Sequence, residues 1–264
     1  MESPNQRTKS FFLSDAHLGA RYIADPRQHE RRVVDIERMM AADAKAVYLL
    51  GDMIDFWFEY RYVIPKGFTR FLGQLAAMTD AGIRVYWFKG NHDMWTTDYL
   101  ERELGVTVVG SRMIADIDGK RFYMSHGDGE GPLPAPYRIL RKIFHNATCR
   151  RIGASLHPRW LMGFGLRWSA HNRLARADSN HGSRNGAYGN LASSEPQTIF
   201  TRQYSAEHPE IDHFVFGHLH YALQQKLDNS HATYTCLGEC FSMFTYAVFD
   251  GEKLELKQFA TGSD

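Results

Sequence analysis

Aspartate, asparagine and histidine residues recur at five places in the 264-residue sequence, each directly after a short apolar run. The five clusters are Asp15/His17, Asp52/Asp55, Asn91/His92, His126 and His218/His220. Any one of them alone fits an ordinary turn, because such polar residues are common where strands end. Together they offer carboxylate, amide and imidazole donors, which suit two divalent metal ions. Two ions about 3.5–4 Å apart can clamp a phosphoryl group and activate a water that attacks phosphorus.

The apolar runs before these clusters alternate with helical patterns. Strands are predicted at 10–14, 46–50 and 83–88, and helices at 27–42 and 66–81. This β-α-β-α-β order predicts a parallel sheet covered by helices, and ligands bind at the carboxyl ends of such strands. Further strands are predicted at 106–109, 112–116, 121–125, 211–216, 245–249 and 253–259. The five clusters can therefore converge at one edge of the fold.

Composition places the chain among globular proteins with one large domain, or one domain that carries an insertion. The formal net charge of +1 gives no argument for nucleic acid as a partner. The three cysteines, Cys149, Cys236 and Cys240, lack CxxC spacing, which argues against a disulfide framework and fits a reducing cytoplasm. No apolar run approaches the roughly 20 residues of a spanning helix, and residues 1–7 lack the apolar stretch of a signal peptide. Any membrane contact is therefore expected to be peripheral.

The sequence changes character between residues 132 and 194, which we interpret as an inserted helical cap. The core is then formed by residues 1–131 and 195–264. Between residues 131 and 177 there is no acidic residue, whereas nine residues are basic. These are Arg138, Arg141, Lys142, Arg150, Arg151, Arg159, Arg167, Arg173 and Arg176. Apolar residues interleave with them at helical spacing, so the cap is predicted to be amphipathic.

Three interpretations of this basic cap are open. It can be a solvated helical hairpin that packs on the core by its apolar face. It can be a nucleic-acid surface, although few basic stretches elsewhere would continue such a track, so no nucleic acid is expected. It can also be an interfacial cap that meets anionic lipid headgroups and holds acyl chains.

Taken in order, the five clusters resemble the motif series of the calcineurin-like metallophosphoesterases. The series D-x-H, G-D-x-x-D, G-N-H-D, H-G and G-H-x-H is complete between residues 15 and 220. The resemblance implies an α/β fold with a two-sheet β-sandwich core flanked by helices, here with the inserted helical cap. It also implies two divalent metal ions, among which manganese is favoured. The implied ligands are Asp15, His17 and His220 for one ion, Asn91, His126 and His218 for the other, and Asp52 as the bridge.

The same resemblance implies a catalytic pair beside the metals. His92 is expected to donate to the phosphoryl oxygen or to the leaving group. The carboxylate of Asp55 is expected to orient His92, and that pairing would raise the pKa of His92. Asp93 is expected to cap a helix or to support the site.

Within this superfamily, the chain is similar to the UDP-2,3-diacylglucosamine diphosphatases, enzymes of lipid A synthesis in Gram-negative bacteria. The similarity is carried by residues 48–60, 125–129 and 156–169. It implies cleavage of UDP-2,3-diacylglucosamine to UMP and 2,3-diacylglucosamine 1-phosphate (lipid X). The enzyme would work at the cytoplasmic face of the inner membrane, without an obligate protein partner. The cap would grip the acyl chains, and the implied substrate contacts are Tyr137, Ser169, Arg173 and Arg176.

Two departures from that closer pattern bear on the substrate. His92 stands where the best-known branch has an arginine, and Gly238-Glu239-Cys240 stands where Gly-Asp-Trp is frequent. The alternative is therefore another phosphodiesterase or phosphatase of the superfamily, acting on a soluble nucleotide or phosphoester. A metal-free scaffold is disfavoured, because holding so many intact polar ligands together without a metal is costly.

Overall fold

The computed structural model describes residues 7–179 and 195–260, and within residues 170–179 it describes the backbone alone. In these ranges the chain forms eleven strands and seven helices. In chain order they are β1 (Lys9–Leu13), α1 (Pro26–Ala41), β2 (Ala44–Leu49), α2 (Thr69–Asp80), β3 (Arg84–Phe88), α3 (Tyr99–Leu104), β4 (Thr107–Val109), β5 (Arg112–Ile117), β6 (Lys120–Ser125), α4 (Ala135–His145), α5 (Ala147–Ser155), α6 (Pro158–Ser179), α7 (Pro196–Glu207), β7 (His213–Phe216), β8 (Ala222–Lys226), β9 (Thr233–Leu237), β10 (Thr245–Phe249) and β11 (Leu254–Gln258).

A mixed six-stranded sheet carries the first three polar clusters. Its order is β11-β10-β1-β2-β3-β4, in which β1 to β4 are parallel and β10 and β11 are antiparallel to their neighbours. Helices α1, α2 and α3 pack on this sheet through one buried cluster, which includes Val33, Met40, Phe71 and Leu75 from helices and Trp87 from a strand. Because β1, β2 and β3 are parallel, their carboxyl ends lie at the same edge of the sheet.

A five-stranded sheet carries the other two clusters. Its order is β5-β6-β7-β9-β8, in which β6, β7 and β9 are parallel. Helix α7 packs on it, where Phe200 and Tyr204 contact the ring of Tyr123. The two sheets face each other through a second buried cluster, in which Phe12 stacks on Phe122 with ring centroids 5.6 Å apart. The predicted two-sheet sandwich flanked by helices is confirmed.

The ends of the predicted elements shift by up to three residues. The largest shift is at the start of α2, which is predicted at residue 66 but begins at Thr69. Gly67 and Phe68 come before it with φ of 112° and 59°, a left-handed backbone that cannot continue a helix. The sequence prediction does not place α3, α7, β8 and β9, because these elements are short or lack a clear apolar period.

Helices α4, α5 and α6 form the described part of the cap. The side chain of Asn146 accepts hydrogen bonds from the main-chain N–H groups of Thr148 and Cys149, so it ends α4 and caps the start of α5. Within residues 7–179 and 195–260, every helix is too short or too polar to cross a membrane. The predicted limits of core and cap stay a prediction.

Candidate metal centre

The loops after β1, β2, β3, β6 and β7 meet at one edge of the sandwich. His17 N donates a hydrogen bond to Asp52 O (3.0 Å), which joins the loops after β1 and β2. Gly217 N donates to His126 O (3.1 Å), which joins the loops after β6 and β7. The parallel pairing of these strands places the polar clusters side by side, as the sequence predicts.

Several of the predicted metal ligands have a strained backbone. Five of them have φ values in the left-handed region, which residues with a Cβ rarely adopt. They are Asp15 (53°), His17 (44°), Asp52 (54°), His218 (71°) and His220 (58°). Such strain costs about 1–3 kcal/mol per residue and persists where the surrounding structure enforces it, typically at functional sites. The strain is therefore independent support for a site at this edge.

The first donor group consists of Asp15, His17 and His220. His220 Nε2 lies 3.1 Å from Asp15 Oδ1 and 3.2 Å from His17 Nε2, and His17 Nε2 lies 3.6 Å from Asp15 Oδ1. Ligand atoms about 2.0–2.2 Å from one ion lie roughly 3.0–3.5 Å apart, so the triangle has the size of a coordination shell. Asp15 Oδ1 is buried and accepts no hydrogen bond from the described residues, which is the state expected of a metal ligand. The donor set therefore fits a divalent ion.

The second donor group consists of Asn91, His126 and His218. His126 Nε2 lies 3.2 Å from Asn91 Oδ1, and the His126 and His218 ring centroids are 5.1 Å apart. His126 Nδ1 donates to Leu50 O (2.8 Å), which fixes the proton on Nδ1 and leaves the Nε2 lone pair for a ligand. This group also fits a divalent ion that accepts mixed oxygen and nitrogen donors.

Asp52 lies between the two donor groups. Its Oδ2 is 3.1 Å from His126 Nε2 and 3.9 Å from His17 Nε2, and its Oδ1 accepts a hydrogen bond from His92 N (2.8 Å). Burial would raise the pKa of Asp52, but the charges of His126 and His92 hold it below its usual range. An ionised carboxylate in this position supports the predicted bridging role.

Two motif glycines are required by close approach to these carboxylates. A Cβ on Gly90 would lie 2.5 Å from Asp52 N and 2.9 Å from Asp52 Cγ. A Cβ on Gly217 would lie 2.5 Å from Asp15 Oδ2. Both contacts are far shorter than any normal packing distance, so only glycine fits at these two positions.

The carboxylate of Asp55 orients His17 rather than His92. Asp55 Oδ1 accepts from His17 Nδ1 (3.2 Å) and from Ser169 Oγ (2.8 Å), whereas it is 3.8 Å from His92 Nδ1. A carboxylate on the outer nitrogen of a metal-ligating histidine fixes its tautomer and its direction. Burial would lower the pKa of His17, but the nearby carboxylates of Asp15 and Asp55 raise it to about 9.

His92 is held by the main chain instead. Its Nδ1 donates to Asp55 O (2.8 Å), and its Nε2 lies 3.9 Å from Asp52 Oδ2. Burial lowers the pKa of His92, and the attraction of the Asp52 and Asp55 carboxylates does not compensate. The expected net rise in the pKa of His92 is therefore wrong, because burial outweighs the two carboxylates and the hydrogen-bond partner is the Asp55 carbonyl, not its carboxylate.

Asp93 supports the site and does not cap a helix. Its carboxylate accepts from Gly90 N (2.8 Å) and from Met53 N (3.0 Å), so it ties the loop after β3 to the loop after β2. Burial and the nearby charge of Asp52 raise the pKa of Asp93 to about 7. The capping expectation is wrong, since the next helix begins only at Tyr99.

The Gly238-Glu239-Cys240 departure builds a turn under the first donor group. Glu239 accepts main-chain hydrogen bonds from Phe241 (2.6 Å), Ser242 (2.8 Å) and Met243 (2.8 Å), and Cys240 N donates to Asp15 O (3.1 Å). The turn places the Phe241 ring 5.7 Å from the His220 ring and 6.1 Å from the His17 ring. Within the described residues, the departure serves local packing.

Sequence reasoning misses two further residues that hold the first donor group. His29 Nε2, on α1, lies 2.7 Å from Ala16 O in the middle of the D-x-H motif. Phe241 packs against two of the ligand rings. His29 belongs to a helical pattern and Phe241 to a short turn, so neither position carries a local signal for the site.

The four predicted substrate contacts have different positions. Ser169 is only 4% exposed and bonds to Asp55. Tyr137 is half-buried in the first turn of α4. Arg173 and Arg176 belong to helix α6, where the structure describes the backbone but not these two side chains, so their contacts stay a prediction.

The cap is tied to the loops that carry the ligands. Arg141 Nε on α4 donates to Asp128 Oδ2 (2.9 Å), two residues after His126. Trp95 Nε1 donates to Phe144 O (3.0 Å), so the loop that carries Asn91 also contacts α4. The Ser169–Asp55 bond adds a third tie, from α6 to the loop after β2. None of these ties is predicted from sequence.

Comparison with known proteins agrees with this geometry. The family model for calcineurin-like phosphoesterases matches residues 9–222, which include all five polar clusters. The chain belongs to the calcineurin-like phosphoesterase family. The resemblance of the motif series is thereby confirmed, and with it the fold class.

Among its relatives, a UDP-2,3-diacylglucosamine hydrolase from Porphyromonas gingivalis is 39% identical over 95% of this chain and 97% of its own. A UDP-2,3-diacylglucosamine hydrolase from Ralstonia nicotianae is 25% identical over 80% of this chain and 76% of its own. The crystal structure of a dimetal phosphatase from Danio rerio covers 97% of this chain and 96% of its own, with 15% identity and a TM-score of 0.48. That last likeness is too distant to inform the function.

Proposed function

We propose that this chain is a two-metal hydrolase that cleaves the pyrophosphate of UDP-2,3-diacylglucosamine into UMP and 2,3-diacylglucosamine 1-phosphate. The observation that carries the proposal is the 39% identity over 95% of the chain to a relative named for hydrolysis of this lipid nucleotide. A match of that extent includes the cap as well as the core. The convergent donor groups support the reaction class.

Seven side chains would hold the metal pair. Asp15, His17 and His220 would bind one ion, Asn91, His126 and His218 the other, and Asp52 both. Manganese suits this mixture of oxygen and nitrogen donors. Such a pair supplies Lewis-acid polarisation of the phosphoryl group and a water that ionises near neutral pH.

His92 would act at the rim of this centre. With Nδ1 donating to Asp55 O, a neutral His92 presents an unprotonated Nε2. The negative charge of an incoming diphosphate favours a proton on that nitrogen. The protonated ring can then donate to the phosphoryl or leaving oxygen, the role of a general acid or an oxyanion donor.

The exposed face of the cap supports a lipid substrate. Of eleven large hydrophobic side chains exposed in the described residues, seven lie on the cap. They are Ile139, Ile143, Ile152, Leu156, Trp160, Phe164 and Trp168. A soluble protein seldom exposes so many apolar groups together unless they meet a partner. Acyl chains are an occupant of matching chemistry.

The charge of the cap supports peripheral contact with a membrane. The exposed residues Arg150, Arg151, Arg159 and Arg167 lie among these apolar groups, and the sequence has no acidic residue between 131 and 177. Each basic residue near an anionic leaflet contributes about 1 kcal/mol of attraction. We therefore place the enzyme on the cytoplasmic face of the inner membrane of a Gram-negative bacterium, with Tyr137, Arg173 and Arg176 as proposed substrate contacts.

The decisive comparison is between substrates that share a diphosphate but differ in lipid. The purified chain with Mn²⁺ is given UDP-2,3-diacylglucosamine, UDP-N-acetylglucosamine and bis(p-nitrophenyl) phosphate, and kcat/KM is measured for each. The proposal predicts that UMP release from the lipid nucleotide exceeds the other two reactions by orders of magnitude. Turnover of the generic ester with no preference for the lipid nucleotide would keep the two-metal chemistry and reject this substrate in favour of a soluble phosphodiester.

A further inference from the structure

We propose that Ser169 is a positioning residue for the metal centre, acting from cap helix α6 through Asp55 on the ligand His17. The inference rests on the proposed function only in taking His17 as a metal ligand. It does not depend on which phosphoester is cleaved.

Three buried groups form a continuous chain of hydrogen bonds. Ser169 Oγ donates to Asp55 Oδ1 (2.8 Å), and the same oxygen accepts from His17 Nδ1 (3.2 Å). Ser169 is 4% exposed and Asp55 2% exposed, so water does not compete for these bonds. The opposite nitrogen of the ring, His17 Nε2, faces Asp15 and His220 in the first donor group.

This geometry excludes Ser169 from a simultaneous contact with the diphosphate. A serine hydroxyl has one hydrogen to donate, and here it goes to Asp55. A phosphate oxygen also needs a donor, so Ser169 cannot serve both groups at once. The chain of bonds therefore assigns the hydroxyl to the support of the metal centre, in place of the direct substrate contact expected from sequence.

The hydroxyl gives Asp55 a fixed direction. Without it, the carboxylate has one fewer bond to hold it against rotation, and the His17 ring is less firmly aimed. Groups that hold the outer nitrogen of a metal-ligating histidine typically change metal affinity or activity by about 10–100-fold when they are removed. A residue that supports such a group is expected to have a smaller effect of the same kind.

The cap reaches Asp55 because α6 packs very closely on the loop after β2. Gly165 lies one turn before Ser169 on the same helix face, and a Cβ on Gly165 would overlap the ring of Phe56. Phe56 directly follows Asp55 in the sequence. Docking of α6 and the direction of the Asp55 carboxylate are thus linked, so the cap helps to aim the His17 ring at the first donor group.

The experiment measures metal affinity and generic-ester turnover in Ser169→Ala, with Ser155→Ala as the matched control. Ser155 also lies on the cap, but it is exposed and its hydroxyl donates to Arg151 O within its own helix. Mn²⁺ affinity is measured by chelator competition, and kcat and KM with bis(p-nitrophenyl) phosphate. Ser169→Ala should weaken the affinity for one of the two ions by about 3- to 10-fold, the range for one net hydrogen bond. It should lower kcat with little change in KM, and Ser155→Ala should behave as wild type.

A second pair of variants keeps the test valid if the alanine variant unfolds. Ser169→Thr and Ser169→Val have nearly the same shape and differ in the hydroxyl, so threonine should bind Mn²⁺ more tightly than valine. The effects of Ser169→Ala and Asp55→Ala on affinity should also be less than additive in the double variant, because both act on His17 by one route.

Equal Mn²⁺ affinity in the threonine and valine variants would overturn the inference. So would wild-type affinity in Ser169→Ala with a loss confined to KM for the lipid nucleotide, which would restore the direct substrate contact. If the wild-type chain itself binds no Mn²⁺, the proposed function fails first, and the two failures are thereby distinguished.

Discussion

Asp52 and His126 follow strands of two different sheets, yet Asp52 Oδ2 lies 3.1 Å from His126 Nε2. Asp52 follows β2 of the six-stranded sheet, and His126 follows β6 of the five-stranded sheet. The candidate metal centre is therefore a contact across the sandwich. Its geometry depends on the packing of the two sheets as much as on the loops themselves.

Replacing Asp52 by alanine should abolish turnover and reduce bound metal below two ions per chain. The change removes the only carboxylate that lies between the two donor groups in the described structure. Metal content by elemental analysis and generic-ester turnover are the measurements, with Asp116→Ala as a control because Asp116 is a surface residue paired with Arg121. Full activity in Asp52→Ala would refute the bridging role.

Replacing His92 by alanine should slow turnover by about 10²–10³-fold, the usual effect of removing one transition-state donor. Two metal ions should remain bound, because His92 belongs to neither donor group. The measurement is kcat together with metal content. A variant that loses its metals would show that His92 is a ligand, and its assigned role would be wrong.

Replacing Gly90 by alanine should disrupt the centre, because the new Cβ would lie 2.5 Å from Asp52 N. We expect loss of metal binding and a lower Tm. Gly73→Ala is the matched control, since Gly73 lies inside α2 with no atom near its Cβ position. That change should instead stabilise the helix by about 1 kcal/mol. A Gly90→Ala variant with normal metal content would contradict the packing argument.

Glu37→Gln should stabilise the chain at neutral pH. Glu37 is fully buried on α1, and neither of its carboxylate oxygens has a hydrogen-bond partner among the described residues. Burial raises the pKa of Glu37 well above 4.5, so the buried carboxyl holds its proton in the folded state. On unfolding at neutral pH the exposed carboxyl releases that proton, which favours the unfolded state. The folded state binds more protons than the unfolded state above pH 4.5, so this part of the stability falls as pH rises.

The gain from Glu37→Gln should therefore appear at pH 7 and vanish as pH falls below 4.5, where the carboxyl becomes neutral in both states. Thermal unfolding at several pH values measures it, with Tm rising by about 2–4 °C for each kcal/mol. A gain of equal size at every pH would mean that shape, and not charge, is responsible.

Replacing both Trp160 and Phe164 by serine should weaken binding to anionic vesicles. These side chains are 70% and 56% exposed, and burying a large apolar side chain in lipid is worth roughly 1.5–3 kcal/mol. Co-sedimentation with phosphatidylglycerol vesicles should show at least a tenfold loss, while generic-ester turnover stays unchanged. Tyr62→Ser is the control, because Tyr62 is exposed on the core. If the wild type, the Trp160/Phe164 double variant and Tyr62→Ser bind the vesicles equally well, the cap does not form the membrane contact.

The sequence predicts the parallel order of β1, β2 and β3 and the convergence of the polar clusters, because both follow from local patterns. Apolar runs define the strands, and each run ends in ligand residue types. The family resemblance, and not the spacing, implies which residues group together, such as His220 with Asp15. Both are local or family signals that do not require knowledge of tertiary contacts.

Sequence patterns do not identify the hydrogen-bond partners of the Asp55 carboxylate. Asp55 is 38 positions from His17 and 114 from Ser169, and only the folded chain shows that its carboxylate faces these two and not His92. The support from His29 is hidden for the same reason. Its side chain bonds to a main-chain group of another segment, and a main-chain partner leaves no trace in the sequence.

The most direct test of the account is release of UMP from UDP-2,3-diacylglucosamine by chain that has been stripped with chelator and titrated with Mn²⁺. The account predicts no release from the stripped chain and a rise in rate that saturates at two ions per chain. A chain that binds both ions and hydrolyses a generic ester but leaves the lipid nucleotide intact would contradict it. Release of UMP at the full rate without any metal would contradict it as well.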